Sequence, residues 1–170
     1  MFRKLAVAVL MLSASAAFAQ LSVPDPDWME TEAPPPPPVR TDKLVRFDVP
    51  GTSLRFGVDP ASVTVGEDRV VRYVVVATSS SGVVNAMYEG VRCNTGEVKV
   101  YARHSPGSGG WVPVRQADWQ RMQDMPNLRY SLAIARQGAC MGDAPNRSAD
   151  QIVRDLGASV DRRFRTESSR

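Results

Sequence analysis

Histidine occurs once in the sequence, at His104, and cysteine only twice, at Cys93 and Cys140. Without a local Cys/His cluster no metal centre is expected. Without a C-x-x-C pair a thiol–disulfide enzyme has no motif. No apolar run reaches the roughly 20 residues of a membrane-spanning helix. Neither sign of charge dominates, since 21 Lys plus Arg stand against 18 Asp plus Glu, so no nucleic-acid partner is expected. The serines of "TSSSG" lack the spaced glycines of G-x-S-x-G, and "PGSGG" lacks the lysine and following helix of a phosphate loop. His104 borders that glycine-rich loop and reads as a solvent-exposed strand-end histidine. No catalytic residue and no cofactor are therefore assigned.

The N-terminus carries a positive signal. Arg3 and Lys4 precede the apolar run "LAVAVLML", and "SASAAFA" ends with Ala17 and Ala19 in an A-x-A arrangement. This is the pattern of a secretory signal peptide over residues 1–19, cleaved before Gln20. No cysteine stands at the cleavage site, so lipidation is not expected. Cleavage leaves 151 of the 170 residues with 19 basic against 18 acidic side chains, a formal charge of +1. That length suits one domain. The periplasm is the expected location, with secretion or surface association as the alternative.

Residues 20–41 form a proline-rich arm whose run Pro34 to Pro38 favours an extended, semi-rigid segment, with Trp28 as its anchor to the domain. From Leu44 the pattern becomes period two and β-branched. Strands are predicted at "KLVRFDV", "LRFGV", "ASVTV", "RVVRYVVVAT", "VVNAMYEGVRC" and "EVKVYAR", and the short links between them require antiparallel neighbours. In "NTG", Gly96 supplies the left-handed residue of a three-residue hairpin loop. Along the last strand Val98, Val100 and Ala102 alternate with Glu97, Lys99, Tyr101 and Arg103, which predicts one covered and one polar face. "YVVVA" is apolar on both faces and reads as a central strand.

Two helices follow. "NLRYSLAIARQG" has Asn127 as N-cap and Gly138 as stop. "SADQIVRDL" has Ser148 and Gln151 as a capping box, with Ile152, Leu156, Val160 and Phe164 along one face. The expected fold is α+β: an antiparallel meander of about six strands packed by two or three C-terminal helices, spanning residues 42–160 and ending in a basic tail, 161–170.

Cys93 ends a strand. Bridge, redox thiol, metal ligand and inert core residue are the available roles, and in an exported chain pairing with Cys140 leaves no odd thiol. The bridge would close a 48-residue loop and stabilise the fold by roughly 4 kcal/mol. Strict alternation in "VVNAMYEGVRC" places Glu89 on the face of Met87, Val91 and Cys93. Either Gly90 marks a bulge that shifts the phase, or Glu89 is a buried carboxylate partnered by Arg92 or Arg72; the bulge is the preferred reading. Trp111 and Trp119 read as lids on the core ahead of ligand platforms.

The stretch "SVTVGEDRVVRYVVVATSSSGVVNAMYEGVRCNTGEVKVYAR", followed by "GWVP", Trp119 and Cys140, resembles the cryptic-neisserial-protein-like (CNP-like) family of exported proteobacterial proteins, from about Asp42 to Leu156. The resemblance implies an exported domain with a disulfide between the two cysteines and carries no assigned activity. It leaves the polyproline arm and the arginine-rich tail as local elaborations. A looser pattern, a strand-end cysteine, a hairpin strand, a tryptophan loop and a late cysteine, is similar to the surface-adhesin E family and implies binding of host or envelope macromolecules.

The expected function is a non-catalytic binding or accessory module of the cell envelope, with an envelope protein or extracellular macromolecule as partner. Its surface would be the exposed sheet face around Asn85, Tyr88, Glu89, Arg92, Tyr101 and Arg103, with Trp111 and Trp119. An adhesin-like protein and a small periplasmic enzyme built around His104 are the alternatives.

Overall fold

A computed structural model describes residues 25–158; the predicted signal peptide, 1–19, the first residues of the predicted arm, 20–24, and residues 159–170, with the predicted helix positions Val160 and Phe164 and the basic tail, lie outside the described residues. Strands β1 (Val45–Phe47), β2 (Arg55–Val58), β3 (Thr64–Val65), β4 (Val71–Thr78), β5 (Val84–Arg92), β6 (Glu97–His104), β7 (Val112–Pro113) and β8 (Gln120–Arg121) form one antiparallel sheet in the order β1-β2-β4-β5-β6-β7. β3 pairs with one half of β4, at Val71 and Arg72, and β2 with the other half, Val75 to Thr78. The predicted strand "ASVTV" is mostly not a strand: Asp59 caps a 3₁₀ turn at Pro60–Ser62, because proline at the first position has no N–H to give a ladder.

β4 is buried from Val71 to Ala77, so the central strand is covered on both faces. Its inner side chains Val71, Tyr73, Val75 and Ala77 face the helices, together with Phe56, Met87, Val91 and Val98. Its outer side chains Val74 and Val76 form a second cluster with Ala86, Tyr88 and Ala102, and Val39 and Leu44 pack against it. The outer face is therefore not the open polar face expected: the N-terminal arm covers it.

A 3₁₀ turn at Pro126–Leu128 leads into α1 (Arg129–Ile134), which passes into a π-helical turn at Ala135–Ala139. Asn127 is not the cap of α1; Pro126 begins the turn one step earlier and Leu128 occupies the cap position without a side-chain hydrogen bond. Gly138 does not stop a helix either. It is buried where a second helix crosses, and a Cβ there would lie 2.6 Å from Leu156 Cγ and 2.8 Å from the Ile152 carbonyl. A short hairpin, β9 (Cys140–Met141) with β10 (Ala144–Pro145), precedes α2 (Ala149–Gly157). Ser148 caps α2 by accepting from the Gln151 backbone N–H, but the Gln151 side chain donates to Asp155, leaving the capping box half formed. Ile152 and Leu156 are buried against the sheet.

Cys93 and Cys140 form a disulfide, with Cα atoms 5.6 Å apart. It fastens the end of β5 to the segment after the π turn. The β5–β6 loop has four residues, since Arg92 pairs with Glu97, and Gly96 takes φ +65° at its end.

Candidate functional site

β5 pairs with β4 residue for residue from Val91 opposite Val71 to Val84 opposite Thr78, so alternation along β5 is never broken. The irregularity sits on β6, where Ala102 faces Tyr88 and Val100 faces Glu89, leaving Tyr101 as the extra residue. Ala102 consequently joins the outer cluster while Val98 and Val100 stay on the inner side, and the uniform alternation expected for β6 holds only in its first half. Gly90 makes no bulge. It leaves room for Tyr101, whose hydroxyl would lie 2.6 Å from a Cβ at that position.

Glu89 is therefore a fully buried carboxylate on the helix side of the sheet. Its partners are neither Arg72 nor Arg92. The hydroxyl of Tyr130 donates to Oε1 at 2.6 Å, and those of Tyr73 and Ser131 donate to Oε2 at 3.2 and 3.1 Å. Burial pushes the carboxyl pKa up, and the three hydroxyls and the attraction of Arg103 offset this only in part. Burial, together with the neighbouring Glu89 charge, likewise raises the phenol pKa values of Tyr73 and Tyr130.

Above this cluster a cleft of 610 Å³ opens between the end of the sheet, the β1–β2 loop and the turn into α1. The ring of Tyr130 forms part of its floor, stacked on Phe56 with centroids 5.1 Å apart and planes 9° from parallel. Met87, Ala77 and Leu128 add to the apolar lining, with Val49, Pro50 and Pro126 beside them, and Leu54 stands 42% exposed at the edge. Polar groups come from Asn85, Arg103, Asn127, Arg129 and Thr52, and no acidic residue lines the cleft. The β1–β2 loop turns at Gly51, φ +77°, where a side chain would meet the Arg129 guanidinium at 3.1 Å. A cleft of this size, apolar with a few polar groups, is the usual form of a small-ligand site.

Of the surface residues expected from sequence, only Asn85 and Arg103 meet in this cleft. Tyr88 is buried under the arm at 2% exposure, and Glu89 is buried on the opposite face. They cannot form a recognition surface as the fold stands. Arg92, Tyr101, Trp111 and Trp119 hold the arm. Trp28 donates to the Asp68 carbonyl at 2.9 Å and lies under the Arg92 guanidinium, 3.6 Å from its ring centroid. Glu30 accepts from Lys99, Tyr101 and Trp119 at 2.8, 2.7 and 3.1 Å. Trp111 donates to the Pro37 carbonyl at 2.8 Å, with His104 edge-on to its ring at 5.8 Å. Both loop tryptophans are arm clamps, a role neither of the sequence readings assigned them.

Beneath the arm lies a buried ion pair. Arg72 donates from both terminal nitrogens to Asp68, at 3.1 and 2.6 Å, and one of them also reaches the Thr31 carbonyl at 3.2 Å. Burial opposes ionisation of Asp68, but the bonds from Arg72, Thr31 and the Val70 backbone prevail and hold its pKa at about 2. At Glu30 burial is likewise outweighed by Lys99, Tyr101 and Trp119, and its pKa falls below the ordinary carboxylate value.

Sequence reasoning did not find Glu30, Asp68, Tyr73, Tyr130, Ser131 or Arg129. The only available signal was Glu89 itself, a carboxylate in phase with core positions, which requires hydroxyl or cationic partners from elsewhere in the chain. Among the described residues no group of His, Cys, Asp and Glu is arranged to hold a metal ion, and no helix is long and apolar enough to cross a membrane.

No curated protein and no solved structure matches the chain. The model of the CNP1-like family matches residues 23–157, which takes in the arm from residue 23 as well as the sheet and both helices.

Proposed function

The chain belongs to the CNP1-like family, and from that premise we propose that it is an exported, non-catalytic binding or accessory module of the cell envelope, with the cleft between β5, β6 and α1 as its binding site. The observation that carries this reading is the cleft itself: an acid-free pocket of 610 Å³ with two arginines beside a stacked Phe56–Tyr130 floor. Such a site has the means to hold a ligand and lacks a nucleophile–base pair. Export rests on the N-terminal pattern Arg3, Lys4, "LAVAVLML" and Ala17-x-Ala19.

A photo-crosslinking side chain at Leu54, on the cleft edge, tests the reading in intact cells. Val83, 46% exposed in the β4–β5 turn, is the control position. Crosslinks to an envelope component from position 54 and not from position 83 are expected. Equal labelling from both, or none from either, would overturn the assignment of the cleft. Protease shaving of the same cells, read against a known periplasmic protein, tests the compartment: protection of both is expected, and digestion of this chain alone would move it to the cell surface.

A further inference from the structure

We infer that the cleft takes an amphipathic carboxylate: a ligand with one carboxylate and an unbranched apolar chain or an apolar peptide end, its anion on Arg103 and Arg129 and its apolar part on Phe56, Tyr130 and Met87. This inference rests on the cleft being the binding site proposed above.

Charge makes the first part of the case. Arg103 and Arg129 both line the cleft, and neither takes part in an ion pair or a side-chain hydrogen bond among the described residues. The five ion pairs of the described residues lie elsewhere. Glu89 feels the field of Arg103 but is engaged by three hydroxyls. Even a fully ionised Glu89 would leave at least one of the two guanidinium groups without an ion-pair partner among the described residues. A monoanion meets that requirement, and a planar carboxylate matches the guanidinium fork. The amides of Asn85 and Asn127, which line the same cleft, supply further donors.

Shape makes the second part. The floor is apolar and aromatic, with Met87, Ala77 and Leu128 around the stacked rings, and Leu54 extends the apolar surface to the edge. An inorganic anion would leave that floor wet, while a neutral apolar molecule would leave the arginines unused. Only a ligand with both parts uses the whole lining. The lining is held in place: Tyr130 by its 2.6 Å bond to Glu89, outside the cleft, and the loop beside Arg129 by the positive-φ turn at Gly51.

Isothermal titration of the full mature chain supplies the test, with dodecanoate and a hexapeptide free acid ending in leucine as probes. Dodecyltrimethylammonium, dodecyl phosphate and the same peptide as its amide are the controls. At least one carboxylate is expected to bind, the trimethylammonium and the amide not, and Arg103→Gln and Arg129→Gln each to weaken binding about 10- to 100-fold, the usual worth of a charge-assisted hydrogen bond. Preference for dodecanoate identifies a lipid-derived acid as the source, and preference for the peptide acid a protein C-terminus; either supports the inference. Equal binding of the cationic amphiphile, tighter binding of the phosphate, or no binding at all would overturn it. If crosslinking from Leu54 persists in cells while every carboxylate fails, the cleft remains the binding site and only the ligand class falls.

Discussion

Glu89 has three hydroxyl partners and no cation within bonding distance, so its ionisation is opposed by burial and only partly supported by its neighbours. The folded pKa lies above the unfolded value. Its proton-bound form therefore stabilises the fold fully below the unfolded carboxylate pKa, and that contribution is lost as pH rises through the raised folded pKa. Glu89→Gln is expected to raise the melting temperature at pH 8 relative to the parent and to leave it unchanged at pH 4. Glu89→Leu strands the three buried hydroxyls and is expected to cost about 3 kcal/mol or more in chemical denaturation. Asp68 has the opposite sign. Its pKa of about 2 lies below the unfolded value, so the Asp68–Arg72 pair contributes fully above about pH 4 and is lost as pH falls toward 2. With solvent screening at the arm edge allowed for, about 1 to 2 kcal/mol is at stake. An acid titration of tryptophan fluorescence is expected to show a transition in that window as Trp28, bonded to the Asp68 carbonyl, leaves its site.

At the level of elements, the arm behaves as an outer layer of the sheet. Most of its described side chains are exposed, so little apolar area holds it, and discrete polar anchors decide whether it stays. Glu30→Ala removes the acceptor shared by Lys99, Tyr101 and Trp119. Limited proteolysis within residues 28–41 is expected to speed up about tenfold, as a loss of about 1.4 kcal/mol of local stability requires, while the sheet and helices stay intact. The crossing of α2 over the π turn is set by contact distance instead. Gly138→Ala would place a methyl group against Leu156 and the Ile152 carbonyl, and an overpacking cost of about 1 to 3 kcal/mol in denaturant unfolding is expected. The same residue read from sequence as a helix stop owes its place to Ile152 and Leu156 of a helix that begins eleven residues further on.

Across the whole molecule the Cys93–Cys140 bridge joins the sheet to the helical segment over a sequence separation of 47. Replacing both cysteines by serine is expected to cost roughly 4 kcal/mol by loop-closure entropy, measured as a shift in the denaturation midpoint. The bridge was legible because pairing is a counting argument: for a chain expected to be exported, two cysteines leave one partner each. The central strand was legible in Tyr73 to Ala77, since a run of β-branched residues has no polar side to turn to water. Glu89 was only half legible, because period two placed it in the core phase but could not name Tyr73, Tyr130 and Ser131 as its donors. Tyr88 was misplaced for a related reason: nothing local in "NAMYEG" says that a segment more than forty residues upstream will cover it. What the sequence determined by itself was the set of properties that depend on neighbours in the chain: strand periodicity, the Gly96 turn, the Ser148 cap and the cysteine count. The tertiary structure alone decided which faces meet: that the arm closes the outer sheet face, that the bulge falls at Tyr101 and not at Gly90, and that Arg103 and Arg129 come to line one cleft. Contacts between segments far apart in sequence depend on packing geometry, which short-range periodicity does not encode.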